Sequence, residues 1–176
     1  LSAFDTLNKY KEKKLSPVDV ISAVIKRIEI INPKINAFNY FDFDKSLEHA
    51  KESEKKFYNN QDVLPLEGIP LAIKDEVNIK GQPNRNGCLL LKDNIAQKTD
   101  VDVETILNSG AILHGRTTNP EFSLTSFCHS KLNGVTRNPW HLDMTPGGSS
   151  GGSAAALASG CAMLATGSDI GGSIRI

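Results

Sequence analysis

The clearest periodic stretch of the chain runs from Pro17 to Ile31. Apolar residues fall at Val18, Ile21, Val24, Ile25, Ile28 and Ile31, the three-to-four spacing of a helix with one buried stripe. Ser16 and Pro17 supply its start, because the hydroxyl can accept a hydrogen bond from the first turn and proline suits the first helical position. Asn32-Pro33 is expected to end it. A more polar helix is expected from Ser46 to Tyr58, with Leu47, Ala50 and Phe57 on its inner side. Leu66 to Ile73 reads as a short apolar strand that contains a proline and leads straight into Lys74 and Asp75. Thr99 to Asn108 is amphipathic and stops before Gly110, and Ala111-Ile112-Leu113 is a short buried strand. Helices alternating with short apolar strands predict a layered α/β class.

The pattern changes after Trp140, where eight of the fourteen glycines fall between Gly147 and Gly172. Inside that stretch, Ser153 to Ser159 is alanine-rich and predicts a helix, and Met163 to Thr166 predicts a short strand. No internal repeat or linker divides the 176 residues, so a single domain is expected.

Charge adds little direction. Twenty basic residues balance twenty acidic ones, so the chain offers no general attraction for nucleic acid or anionic membrane. No apolar run approaches the ~20 residues of a membrane span, and the polar first residues do not read as a signal peptide. Cys88, Cys128 and Cys161 are far apart and odd in number, which fits a reducing cytoplasm better than a disulfide framework. The four histidines are scattered as well, and no metal-ligand spacing occurs.

Chemistry is concentrated in two serine-bearing glycine runs, Pro146 to Ser153 and Gly167 to Ser173. Glycine allows close backbone approach and positive φ. Successive N–H groups in such a turn can converge on one oxygen, as a tetrahedral oxyanion requires. A nucleophilic serine also needs a base. Gly148 to Gly152 formally fits the G-x-S-x-G elbow, but no strand precedes it and no histidine follows it. A phosphate loop is disfavoured by the missing Gly-Lys-Ser/Thr ending. Lysine is the alternative base. Lys74 follows an apolar strand, and Asp75 is expected to point to the opposite face. Burial without a carboxylate partner could then favour the neutral amine. Position alone does not separate such a base from an ordinary surface charge.

Ile73-Lys74-Asp75, the run from Gly147 to Ser153 and the run from Gly167 to Arg175 together resemble the amidase signature family. Lys74 precedes Ser149 by 75 positions and Ser149 precedes Ser173 by 24, which agrees with that family's Ser-cis-Ser-Lys triad. Weaker likeness covers Pro17 to Asn36, Leu66 to Asp75 and Gly110 to Glu121. The resemblance implies α/β/α layers around a mixed sheet. It implies Ser173 as nucleophile, Ser149 (preceded by a cis peptide) as proton relay and Lys74 as base. It also implies an oxyanion hole from the N–H groups of Ile170, Gly171, Gly172 and Ser173. Ser150, Asp169 and Arg175 are implied as supporting residues, with Asp169 and Arg175 holding the turn.

The implied activity is hydrolysis of a carboxylic amide through a serine acyl-enzyme, with a small-molecule amide as partner and no cofactor or metal. The alternative is the glutaminase subunit of a tRNA-dependent aspartyl/glutamyl amidotransferase, and a non-catalytic binding protein is a third possibility. Thr118 to Phe122 favours the hydrolytic amidases, whereas Thr136 to Ala156 is nearer the amidotransferase glutaminase. Where the family commonly has threonine this chain has Ile170, a backbone-donating position. Pro83 to Asn86 also replaces a threonine-rich stretch of many relatives. Residues 1–176 are expected to be the N-terminal portion of one such domain, whose C-terminal remainder lies beyond them.

Overall fold

A computed structural model describes residues 1–176. Helices α1 (Ala3–Lys11) and α2 (Pro17–Ile35) lead into strand β1 (Phe38–Phe41). Helix α3 (Phe43–Tyr58) and strand β2 (Pro70–Lys74) follow, then helix α4 (Val101–Asn108) and strand β3 (Ile112–Thr117). A two-stranded hairpin of β4 (His129–Ser130) and β5 (Gly134–Val135) stands apart. Helix α5 (Gly151–Ala158) and strand β6 (Leu164–Ala165) are the last regular elements, and residues 166–176 follow as loop and turns.

The main sheet has the order β1-β3-β2-β6. Strand β2 lies parallel to both β3 and β6, and β1 runs antiparallel to β3, so the sheet is mixed as expected. Alternation along β2 divides the core. Ala72 packs with Val24, Ile28 and Ile35 of α2 and with Ala155 and Ala156 of α5. Leu71 and Ile73 face the other way, onto Val103 of α4 and Ile79. Lys74 shares the parity of Ala72 and therefore lies on the side where α5 begins. The result is the α/β/α layering, with α4 on one face and α2, α3 and α5 on the other.

Several boundaries differ from the sequence pattern: α3 begins at Phe43, β3 runs on to Thr117 and α5 begins at Gly151, and two further differences have a clear local cause. Helix α2 continues through Pro33 to Ile35. The hydrogen bond that Pro33 cannot donate would have gone to the carbonyl of Glu29, an exposed residue that water can serve instead. The helix ends at Asn36, which takes the left-handed conformation at φ 51°. Asn32 Oδ1 accepts from the N–H groups of Ala37 and Phe38 beyond it. Strand β2 starts only at Pro70, because Leu66 to Gly68 form a turn closed by Ile69 N–H on the Leu66 carbonyl. Proline is suited to that first strand position, where no ladder donor is required. Helix α1 and strand β1 were not indicated by periodicity. Ser2 and Asp5 form a reciprocal capping box that starts α1.

One core side chain has no hydrogen-bonding partner. His114 of β3 is fully buried, and neither ring nitrogen is bonded. Burial pushes its pKa down to about 4. An unfolded histidine binds a proton near pH 6.5, so the unfolded state gains protons first as pH falls. The stability His114 permits is thus complete above about pH 6.5 and is lost progressively toward about pH 4. Urea midpoints measured near pH 7 and near pH 5 should differ less in His114→Leu than in the unmodified protein. An equal pH drop in both would show that another group controls acid sensitivity.

Candidate active site

Lys74 is the last residue of the central strand and is only 1% exposed. Its backbone is held from both sides: Lys74 N–H donates to Thr166 Oγ1 at 3.0 Å, and Arg116 donates to its carbonyl at 3.2 Å. The ammonium donates to Ser149 Oγ and to Ser168 Oγ, each at 2.8 Å. Burial is the largest influence on its pKa and draws it below the ordinary lysine value.

A carboxylate partner is nonetheless present, which corrects the sequence expectation. Glu76 Oε2 lies 2.9 Å from Lys74 Nζ and also accepts from Ser123 Oγ at 2.6 Å. Burial alone would raise the Glu76 pKa. Hydrogen bonds from Ser123, Ser168 and Lys74 outweigh it and hold the carboxylate below its usual range. Asp75, as expected, turns elsewhere. It accepts from Asn39 Nδ2 at 2.7 Å and lies 3.7 Å from Arg116.

Ser149 is buried, and the peptide joining it to Gly148 is cis. The following serine, Ser150, is the N-cap of α5. Its side chain accepts from Ser168 N–H and donates to the Ser168 carbonyl, both at 3.2 Å. Its N–H donates to the Ser173 carbonyl at 3.1 Å. Ser150 therefore fastens both ends of the second glycine run to the start of α5. Glycine is needed at Gly152, where an added Cβ would collide with the backbone of Thr118. That close approach lets Gly152 N–H donate to the Thr118 carbonyl at 3.2 Å. Ser153 links to Thr117 Oγ1 and to the Thr166 carbonyl, each at 2.7 Å. These bonds pin α5 against the ends of β3 and β6.

The turn bearing Ser173 is organised by Asp169. Its carboxylate accepts from Gly172 N–H at 2.6 Å and from Ile174 N–H at 3.4 Å. It also accepts from both arms of Arg175, at 2.9 and 3.0 Å. This bidentate bond to Arg175 holds the Asp169 pKa far below the usual carboxylate range. Asp169 and Arg175 thus bond to each other across this turn. One of the four expected oxyanion donors is already engaged, since Gly172 N–H serves Asp169. The N–H groups of Ile170, Gly171 and Ser173 donate to no protein acceptor.

Ser149, Ser168, Ser173, Ile170 and Gly171 line one open cleft of about 640 Å³ together with Glu76 and Phe122. Ser149 and Ser173 share no hydrogen bond, so of the expected relay only the Lys74–Ser149 link is closed. Ser168 and Glu76 were not singled out from the sequence. Glu76 carries no alternation signal, because the strand ends at Lys74 and Asp75-Glu76 lie in the turn that follows it.

A family profile described as Amidase matches residues 19–176. Among curated relatives, the chain is 42% identical over 164 residues to a glutamyl-tRNA(Gln) amidotransferase subunit of Methylacidiphilum infernorum. That match covers 93% of this chain and 32% of the relative. Identity to indoleacetamide hydrolase of Bradyrhizobium diazoefficiens is 38% over 174 residues, covering 99% and 33%. Among solved structures, a bacterial aryl acylamidase of the amidase signature enzymes superposes with a TM-score of 0.93 at 34% identity. That superposition covers 99% of this chain and 36% of the other. Fatty acid amide hydrolase gives 0.94 at 31% identity, covering 99% and 31%. The chain thus spans about a third of the length of the proteins it matches.

The buried pair behind Lys74 yields a stability prediction. Arg116 donates to the carbonyls of Ile73, Lys74, Pro83 and Val77 while facing Asp75. Arg116→Met leaves the Asp75 carboxylate buried without its cation, an arrangement that costs about 3–5 kcal/mol. Denaturant unfolding should register that loss; a loss within about 0.5 kcal/mol would mean that Arg116 does not anchor the strand end.

Proposed function

The chain belongs to the amidase signature family, and on that premise we propose that it carries the reaction centre of a serine amidase. The observation that supports this most is the buried Lys74 ammonium bonded to Ser149 at 2.8 Å, beside a cleft that Ser149 shares with Ser173. In this proposal Ser173 attacks the amide carbonyl. Its proton passes to Ser149 Oγ as the Ser149 proton moves to neutral Lys74. The tetrahedral oxyanion is received by the unengaged N–H groups of Ile170, Gly171 and Ser173. Lys74 then returns the proton through Ser149 to the departing nitrogen, which leaves as ammonia or an amine. Water attacks the Ser173 ester by the same route and frees the acid. The open Ser149–Ser173 link does not count against this, because such contacts commonly tighten only once substrate is seated.

A small-molecule amide is the proposed substrate class. A second reading, the glutamine-hydrolysing subunit of a tRNA-dependent amidotransferase, is favoured by the 42% and 40% identities to glutamyl-tRNA(Gln) amidotransferase subunits. We also propose that residues 1–176 are the N-terminal part of one larger amidase domain. Relatives about three times as long support this. So does the cleft, which is bordered by the exposed apolar side chains of Phe122, Leu124, Ile170 and Ile176.

Two measurements on the full-length protein test the mechanism. A fluorophosphonate should label Ser173, and label on Ser150 instead would revive a nucleophile elbow. Lys74→Ala should slow labelling by about 10²- to 10⁴-fold, the usual worth of general-base assistance. In the unmodified protein the labelling rate should rise with pH as the buried amine loses its proton; near-normal labelling of Lys74→Ala would refute the lysine mechanism. An amide panel with and without glutamine separates the two substrate readings.

A further inference from the structure

Nothing in the serine mechanism uses Glu76, yet it is the closest carboxylate to the base. Its Oε2 stands 2.9 Å from Lys74 Nζ, and Ser123 fixes it from the far side at 2.6 Å. The remaining contacts of the ammonium are the hydroxyls of Ser149 and Ser168. Neighbouring segments bring no competing anion. Asp75 is engaged by Arg116 and Asn39, Asp169 is engaged by Arg175, and Glu121 is exposed. The Cys128 thiol is buried, which pushes its pKa up and keeps it neutral. The guanidinium of Arg116 meets Lys74 only at the carbonyl.

We propose that Glu76 is a positioning residue that sets the charge of Lys74, and with it the pH at which the amidase reaction turns on. The proposal rests on Lys74 being the base. Two opposing forces act on that amine. Removal from water favours the neutral form, whereas a carboxylate at contact distance favours the ammonium. Glu76 thereby makes Lys74 a stronger base that is less often free of its proton at neutral pH. When the proton from Ser173 arrives through Ser149, the ammonium forms next to a ready counter-charge. The same proton later leaves with the amine, so Glu76 itself neither gains nor loses one.

This predicts a paired signature in the full-length enzyme, read as the rate of fluorophosphonate labelling of Ser173 against pH. Glu76→Gln should move the acid limb to lower pH by about one unit or more, the scale on which one close opposite charge acts. The alkaline plateau should fall because the base is weaker, and labelling on the acid limb should be faster by less than the roughly tenfold that each unit of limb movement alone would give. Glu76→Asp keeps the charge at a longer reach and should give an intermediate limb. A merely structural role would lower the plateau of both variants without moving the limb, and that result overturns the proposal. Should Glu76→Gln fail to fold, the limb of Glu76→Asp must still move in the same direction, and a stationary limb overturns the proposal equally. If Ser173 of the unmodified enzyme takes no label at any pH, the amidase reading falls, and this proposal with it.

Discussion

Removal of the Lys74 ammonium from water is the constraint around which the rest of this structure is arranged. An exposed lysine keeps its proton until the pH is far above neutral. The chain ends its central strand on Lys74, pairs it with Thr117 of β3 and ties its N–H to Thr166 just beyond β6, leaving the side chain buried. Desolvation is therefore the largest influence on its pKa. A charge so placed must still be hydrogen-bonded, and Ser149, Ser168 and Glu76 meet that need. The groups that make burial tolerable are thus the groups through which a proton could move.

Holding such a group in place requires the sheet end to be rigid. Arg116 bonds the carbonyls of Ile73 and Lys74 from the opposite face, with Asp75 as counter-ion. Small residues bring α5 close enough for Gly152, Ser153 and Ser150 to bond β3, the Thr166 carbonyl and the Ser173 turn. Asp169 and Arg175 close that turn from outside. Buried polar networks of this kind specify position well only when nearly every member is satisfied; here Lys74 is bonded to Ser149, Ser168 and Glu76, whereas Asn39 Oδ1 and Asn119 Oδ1 at the edge of the network accept no bond.

The glycine-serine runs were legible in the sequence because the chemistry they suit writes itself locally, into consecutive residues. Helices α2, α3 and α4 were legible for the same reason, as periodic stripes with caps such as Ser16. Pro33 misled because its cost depends on whether Glu29 faces solvent, which only packing decides. Strand β1 is four residues long and exists because β3 pairs with it, so no local period announces it. Glu76 was not legible, because it stands in the turn after β2 rather than in the strand, and its partner Ser123 comes from a turn 47 positions away. The division of labour between Asp75 and Glu76 could not be read without that turn. Ser168 was hidden among the glycines that flag Ser173, since its role appears only when the loop folds back over Lys74.

The central claim is that burial, opposed but not cancelled by Glu76, leaves Lys74 easier to deprotonate than an ordinary lysine. A titration of the full-length protein carrying ¹³Cε,¹⁵Nζ-labelled lysine, with Lys74 assigned by its absence in Lys74→Arg, measures this directly by NMR. The account predicts one resonance titrating clearly below the usual lysine value of about 10.4. Titration of Lys74 at or above that value would contradict it.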